Sequence, residues 1–147
     1  MRRLLLACLL LAAPPALARD YLKGPDAVQA RAYSPGVVTT GGRVVWLAGQ
    51  TSLRSLDDRP LAADFEGQVR DIFARMGATL GRAGGGLKDL VTMTVFITDA
   101  RLGTRFTEIR REVFGDNFPA SALITVHGLA QPGMLVEVQG VAVLGDQ

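Results

Sequence analysis

Residues 118–144 read FPASALITVHGLAQPGMLVEVQGVAVL, the stretch with the clearest strand pattern in the chain. Two apolar, β-branched runs lie on either side of the breaker at Pro132 and Gly133, a pattern that predicts two paired β-strands. In the second run Val136 and Val138 flank a single carboxylate, Glu137. A carboxylate among valines needs water, a partner or a chemical role. Glu137 is therefore the first candidate for a functional residue.

The first run carries two further polar candidates. Strict alternation puts Ser121 and His127 on one face of it, together with Leu123 and Thr125. No partner for His127 is visible in the sequence, which favours an exposed or interface residue over a catalytic one.

Upstream of this stretch, the spacing of apolar residues predicts two amphipathic helices with a strand between them. The first helix begins at Asp64 as N-cap and ends at the glycines of 84–86, which follow a helix and so make a poor phosphate cradle. Residues 90–98 read as a strand. The second helix follows Asp99 and Gly103 and ends at residues 115–117. Its three arginines, predicted to form a solvated face, are Arg105, Arg110 and Arg111.

Nearer the N-terminus, residues 33–50 contain two β-rich runs around Gly41 and Gly42, which predicts a hairpin. Residues 53–62 are predicted to be a loop.

The order is therefore strand, strand, helix, strand, helix, strand, strand, which indicates one α+β domain with a mixed sheet and two helices on one face. Both faces of the sheet are apolar in the pattern, so we expect the second face to be buried in a symmetric oligomer.

The first 18 residues have the features of a secretory signal peptide. Arg2 and Arg3 precede an apolar run from Leu4 to Ala13, and a small-residue cleavage site ends at Ala18. The alternative, a buried N-terminal helix, is disfavoured by Pro14–Pro15. We therefore expect cleavage after Ala18 and a periplasmic or secreted protein that is free of the membrane. Residues 19–32 are then a lead-in, either a tether or an extended strand, and residues 33–147 form the domain.

Composition excludes several classes of function. The chain has 147 residues, of which 48% are hydrophobic, enough for one compact core. Removing residues 1–18 takes away two of the 16 Lys and Arg, which then equal the 14 Asp and Glu, so a nucleic-acid partner is not expected. The single cysteine, Cys8, leaves with the signal. One histidine and no cysteine disfavour a metal site, and no cofactor is indicated.

The chain resembles the RidA family of small proteins, also called reactive intermediate/imine deaminases, from about Tyr33 to Leu144. The residues that carry the resemblance are Tyr33-Ser34, Ala48-Gly49-Gln50, Gln68, the strand at 90–99 (LVTMTVFITD), Phe118-Pro119-Ala120 and the strand at 137–142 (EVQGVA).

The resemblance implies a chorismate-mutase-like fold, a homotrimer and small-molecule pockets between subunits. Members with the full motif hydrolyse 2-imino acids, released by pyridoxal-phosphate enzymes, to 2-keto acids and ammonia. In them a Glu on the last strand positions the attacking water, an Arg after Pro-Ala holds the substrate carboxylate, and a Tyr and a Ser-Gly-Gln segment line the pocket. Glu137 is thus the implied catalytic residue, and the implied substrate-binding positions are Tyr33, Ala48, Gly49, Gln50 and Ser121.

Two positions depart from that motif. Ala48 replaces the Ser of Ser-Gly-Gln, and Ser121 replaces the Arg that binds the carboxylate. A hydroxyl lacks the permanent charge and the paired donors of a guanidinium. This predicts altered specificity.

Three functions therefore stay open. They are an imine or enamine hydrolase of altered specificity, a non-catalytic ligand-binding or chaperone-like trimer, and, ranked last, an endoribonuclease. Glu137 itself is interpreted either as a pocket residue or as a structural carboxylate at the subunit boundary.

Overall fold

The computed structural model describes residues 18–145, so residues 1–17 of the predicted signal peptide lie outside the described residues. The strands are Ala18–Leu22 (β1), Gly36–Thr40 (β2), Arg43–Gln50 (β3), Leu90–Ile97 (β4), Ala120–Thr125 (β5) and Val136–Leu144 (β6). The helices are Asp26–Gln29 (α1), Phe65–Arg82 (α2) and Gly103–Phe114 (α3). The predicted α+β domain is confirmed.

Local signals set the ends of the long helices. The carboxylate of Asp64 accepts a hydrogen bond of 2.9 Å from the backbone N–H of Gly67 and so caps α2, as predicted. A short 3₁₀ turn, capped by Asp99, leads into α3. Gly115 ends α3 with a φ of +62°, a conformation that glycine adopts without strain.

The main sheet has the strand order β3-β6-β4-β5. β6 is antiparallel to both of its neighbours, and β5 runs parallel to β4. The prediction that the last two strands pair with each other is wrong, because β4 lies between them. The β4-α3-β5 unit explains this arrangement, since a helical crossover returns the chain parallel to the strand it left. The connection after β5 then carries the chain across to the far side of β4.

The predicted hairpin at residues 33–50 is also wrong. Gly41 and Gly42 do form a turn with positive φ angles, but the two strands they connect belong to different sheets. β2 pairs with β1 in a two-stranded antiparallel ribbon, whereas β3 pairs with β6. The lead-in therefore supplies β1 as the partner of β2. Arg19 fastens it through a 2.6 Å ion pair with Asp89 and a 2.6 Å hydrogen bond to the carbonyl of Val143.

Both long helices pack against one face of the main sheet, as predicted. Val69, Ile72 and Met76 of α2 and Phe106 and Ile109 of α3 are fully buried in this core. They cover the β4 and β6 side chains Met93, Val95, Ile97, Val136, Val138 and Ala142. We call this the helix face and the opposite one the open face.

The open face carries exposed apolar side chains. Trp46 is 80% exposed, and Val44 and Ile124 are also exposed.

Among residues 18–145, no helix has the length and apolar character needed to cross a bilayer.

Candidate functional site

Glu137 lies on the open face of β6, in contact with β3. Its neighbours in the strand, Val136 and Val138, point into the core, so the carboxylate points away from it and is half-buried. It lies directly against Gly49, where a β-carbon would come within 2.1 Å of Oε1 of Glu137. The predicted catalytic residue and one predicted pocket residue are therefore in contact.

A β-bulge places the other two residues of the β3 segment. The register between β3 and β6 shifts between Leu47 and Gln50, after which Gln50 pairs with Val138. Ala48 is exposed, and the Gln50 amide donates to the backbone carbonyl of residue 49 at 3.3 Å. This bulge holds Gly49 against Glu137, whereas the pairing of Gln50 with the core residue Val138 assigns the Gln50 side chain to the helix face. We call Gly49 and Glu137 the acid half-site.

Ser121 lies on the opposite face of the sheet. In β5 it pairs with Met93, a core residue of β4, whereas Glu137 pairs with Phe96 of the same strand. Because side chains alternate along β4, these two registers assign Ser121 to the helix face and Glu137 to the open face. Within one protomer, the two residues do not share a pocket.

Ser121 accepts a hydrogen bond from a buried arginine of α3. Arg110 donates from one guanidinium nitrogen to Oγ of Ser121 and from the other to the carbonyl of Arg31, each at 2.6 Å. Arg110 is only 3% exposed, so its prediction as a solvated residue is wrong. Burial, together with the nearby charge of Arg31, lowers the pKa of Arg110 to about 10.

A sequence signal for this burial was available. Arg110 follows Phe106 by one helical turn, and the Arg110 guanidinium lies 5.4 Å from the Phe106 ring centroid. It therefore occupies the edge of the apolar stripe, where a long side chain is covered along its stem.

Tyr33 belongs to the same edge of the molecule as Ser121. The N–H of Ser34 donates to the carbonyl of Pro119 at 3.2 Å, and Ser34 forms a parallel bridge with Ala120 at the start of β5. The Arg31 guanidinium lies 6.0 Å from the Tyr33 ring centroid. We call Tyr33, Arg110 and Ser121 the arginine half-site.

A cleft of about 590 Å³ continues along the same edge. Leu123 and Thr125, which follow Ser121 on the helix face of β5, form one wall. Arg31 and Arg111 line it from the lead-in and from α3. The lining is mixed, with apolar residues such as Ile97 and Leu123, three threonines, two arginines and the carboxylate of Glu108. Its volume is large enough for a small organic molecule.

Gln68, another residue of the sequence resemblance, has a structural role. It is fully buried, its amide donates to the carbonyls of Leu61 and Gly133 at 2.8 and 2.7 Å, and its oxygen accepts from the N–H of Leu135. It ties the loop before α2 to the segment before β6. His127 is exposed.

The chemistry available to these groups is acid–base chemistry. Within residues 18–145, no cluster of three His, Cys, Asp or Glu side chains is arranged to hold a metal ion. A half-buried carboxylate can accept a proton from water, and a hydroxyl that accepts from a guanidinium can donate its own proton to a ligand.

The comparisons with known proteins agree on one family. Residues 24–144 match the model of the family described as endoribonuclease L-PSP. A RutC family protein from Pyrococcus horikoshii is 27% identical over 101 residues, which cover 69% of this chain and 79% of that protein.

Solved structures of the same group are similar in fold. The Rid family protein YyfB from Yersinia pestis superposes with a TM-score of 0.72 at 23% identity, over 86% of this chain and 98% of that one. A member of the YjgF family from Mycobacterium tuberculosis superposes with a TM-score of 0.60 at 29% identity, over 86% of this chain and all of that one (100%).

Proposed function

Because the chain belongs to the endoribonuclease L-PSP family, which is the YjgF/RidA family, we propose that it is an imine or enamine hydrolase of altered specificity. Its pocket forms between the subunits of a homotrimer. The acid half-site of one subunit faces the arginine half-site of the next, and together they enclose a small-molecule substrate without a metal or cofactor.

The contact between Glu137 and Gly49 carries this proposal. A glycine at residue 49 leaves the carboxylate of Glu137 space that any other side chain would fill. Residues on a strand of a packed sheet are held more precisely than residues on a loop, and catalysis depends on that positioning.

The reaction follows from one carboxylate and one water molecule. Glu137 accepts a proton from water as the water oxygen forms a bond to the imine carbon, and returns that proton to the imine nitrogen. The resulting amino alcohol then transfers its hydroxyl proton and loses ammonia as the C–N bond breaks, which leaves a carbonyl compound. Glu137 is the proton carrier in both steps, so no other reactant is required.

The two-sided geometry supports a pocket between subunits. Ser121 and Glu137 are on opposite faces of one sheet, so a site that uses both needs two copies of the chain. The open face carries the exposed apolar residues Trp46, Val44 and Ile124, which favour self-association. A closed ring of three subunits would bury this face in the same way in every copy.

Ammonia release from a panel of imines tests the activity. We expect turnover by the wild-type protein, a loss of about 100-fold or more in kcat for Glu137→Ala, and no change for the exposed control Asp57→Asn. An absence of ammonia from every imine in the panel, with the trimer intact, would reject the hydrolase.

Mixing two inactive variants tests the shared pocket. Glu137→Ala damages the acid half-site, and Tyr33→Ala damages the arginine half-site. In trimers refolded from equal amounts of both, about one quarter of the sites combine two intact halves. Recovered activity near that fraction supports the shared pocket, whereas no recovery assigns both halves to one subunit.

The second candidate is a trimer that binds small ligands, or acts as a chaperone, without turnover. The replacement of the family Arg by Ser121 favours it, because a lost bidentate contact weakens substrate binding. Imine analogues would then raise the melting temperature, and Glu137→Gln would leave any trace activity unchanged.

Ribonuclease action is the third candidate and rests on the description of the matching family model. Equal numbers of acidic and basic residues after signal removal disfavour it. Incubation with single-stranded RNA tests it, and intact RNA would reject it.

We also propose export to the periplasm or the medium, on the basis of the signal-like residues 1–18. Amino-terminal sequencing of protein from a cell fractionation would test cleavage after Ala18.

A further inference from the structure

We propose that Arg110 and Arg111 of α3 position Tyr33 by holding the backbone that leads into it. Their guanidinium groups bind the backbone carbonyls of residues 29–31, and we call these two arginines the carbonyl clamp. The inference deepens the proposed function and rests on it for the role of Tyr33 in the pocket. Both arginines are positioning residues, since they act through Tyr33.

The segment before Tyr33 has little to hold it in place by itself. Within the described chain, α1 has only four residues, no side-chain cap at its N-terminus and no buried residue. A helix this short is unstable in isolation, because it has too few hydrogen bonds to offset the loss of chain entropy. The orientation of the segment therefore depends on contacts with other elements.

The carbonyl clamp supplies such contacts at the end of α1. Arg110 donates to the carbonyl of Arg31 at 2.6 Å. Arg111 donates to the carbonyls of Gln29 and Ala30 at 3.2 and 2.7 Å. Helix ends leave carbonyls without intrahelical partners, and hydrogen bonds from cationic donors are stronger than those from neutral ones. The clamp therefore fixes three successive carbonyls against α3.

The clamp arginines are themselves held in place. The Arg110 guanidinium lies against the Phe106 ring, and the Arg111 guanidinium lies 5.6 Å from the ring centroid of Phe118. Arg110 also donates to Ser121 of β5, so its planar guanidinium is bound at two points. A donor that is fixed in this way also fixes the carbonyl that it binds.

The residue between the clamp and Tyr33 has an unusual backbone conformation. Ala32 is fully buried and has a φ of +53°, in the left-handed region that alanine rarely adopts. Such a conformation persists only where the surrounding structure imposes it, and it is found most often at functional sites. On the other side of Tyr33, the N–H of Ser34 donates to the carbonyl of Pro119. Tyr33 is thus held from both sides, and the turn at Ala32 sets its direction.

Fluorine NMR of Tyr33 tests the inference without a ligand or turnover. The chain has two tyrosines, so the full-length protein labelled with 3-fluorotyrosine gives two signals, of which that of Tyr21 is the internal control. Arg110→Met and Arg111→Met should each shift the Tyr33 signal towards that of the unfolded protein, because a released ring is exposed to solvent. The Tyr21 signal should stay in place. An unchanged Tyr33 signal in either variant overturns the inference.

Two further variants separate the clamp from the general stability of the fold. If Arg110→Met does not fold, Arg111→Met, at an exposed residue, still tests the clamp. Arg82→Met, at an exposed arginine of α2, is the matched control and should leave both signals unchanged. A shift of the Tyr33 signal in this control as large as that in the clamp variants overturns the inference.

A double-mutant cycle shows whether the clamp acts through Tyr33. With an imine that the wild-type protein hydrolyses, Arg110→Met should lower kcat/KM by about tenfold, since a misplacement of about 1 Å in a pocket can cost more than that. In the Tyr33→Phe background the same change should cost less than about twofold, because the hydroxyl that it positions is already absent. Arg110→Lys should restore part of the wild-type rate, because lysine keeps a cationic donor.

The cycle and the NMR signals also distinguish this inference from the alternatives. Equal losses in both backgrounds assign Arg110 to the ligand contact through Ser121 and overturn the inference. Hydrolysis of an imine, together with a Tyr33 signal that does not change in the clamp variants, overturns the inference alone. A Tyr33 signal that shifts in the clamp variants of a protein that hydrolyses no imine overturns the proposed function alone.

Discussion

The carboxylate of Glu137 lies so close to the α-carbon of Gly49 that a β-carbon at residue 49 would be 2.1 Å from its nearer oxygen. The two residues belong to adjacent strands next to a β-bulge. The first prediction follows from this contact. Gly49→Ala should displace the carboxylate by about 1 Å or more and lower kcat by about 100-fold.

Steady-state ammonia release measures this effect. Gly86→Ala is the matched control, because a β-carbon there has no heavy atom within 4 Å and the backbone is extended. Equal kcat values for Gly49→Ala and the wild-type protein would contradict a role for the contact.

The hydrogen bond between Arg110 and Ser121 gives the second prediction. Ser121→Arg places a second guanidinium where the first already donates at 2.6 Å, so it should destabilise the protein by roughly 1 to 3 kcal/mol through crowding and like-charge repulsion. The double variant Arg110→Ser/Ser121→Arg should recover this stability and bind 2-oxopropanoate more tightly than the single variant. Urea unfolding and calorimetry measure the two effects, and a fully stable Ser121→Arg would contradict the crowding argument.

The exposed indole of Trp46 gives the third prediction. This side chain is 80% exposed in the protomer, and we expect it to be buried against another subunit in the proposed trimer. Trp46→Lys should therefore produce monomers in sedimentation velocity with an unchanged far-ultraviolet circular dichroism spectrum. Leu56→Lys, at a 58% exposed loop residue, should stay assembled. A trimer that tolerates Trp46→Lys would assign the interface to another surface.

The carboxylate of Asp71 gives the fourth prediction, which concerns pH. Burial alone would raise its pKa, but hydrogen bonds from Ser52, Arg75 and the N–H of Leu56 outweigh burial and hold the pKa below its usual value. Because the folded pKa is the lower one, the stabilisation is complete above the unfolded value near 3.9 and is lost as pH falls through the folded value.

Removing this carboxylate should have a matching effect. Asp71→Asn should lower the free energy of unfolding at pH 7 by about 1 to 3 kcal/mol and weaken its dependence on pH below 4. Urea titrations from pH 2 to 7 measure both quantities. Asp57→Asn, at an exposed residue of the loop before α2, should match the wild-type curve. A similar loss of stability in this control would refute the network.

The helices were predictable because their signals are local. The carboxylate of Asp64 reaches only three residues along the chain, and Gly115 ends α3 by its own backbone conformation. The order of strands was not predictable in this way. Two apolar runs separated by a short breaker resemble a hairpin. In the structure the α3 crossover returns β5 parallel to β4, and β6 pairs with the other edge of β4.

The candidate site was predicted residue by residue but not in its arrangement. The sequence resemblance identified Glu137, Gly49 and Ser121, yet alternation within each strand says nothing about the register between strands. That register places Ser121 and Glu137 on opposite faces. Arg110 was predicted to be solvated because arginine is charged. Its position one helical turn after Phe106, at the edge of the apolar stripe, indicates burial instead.

The opposite orientation of the two half-sites has a consequence for how the protein behaves at low abundance. In the proposed trimer, a dissociated protomer would carry both halves of a site and no complete one. Its specific activity should therefore decline on dilution, steeply once subunits separate, although every chain stays folded. On this proposal, the cellular concentration of the protein would set its specific activity through the extent of assembly.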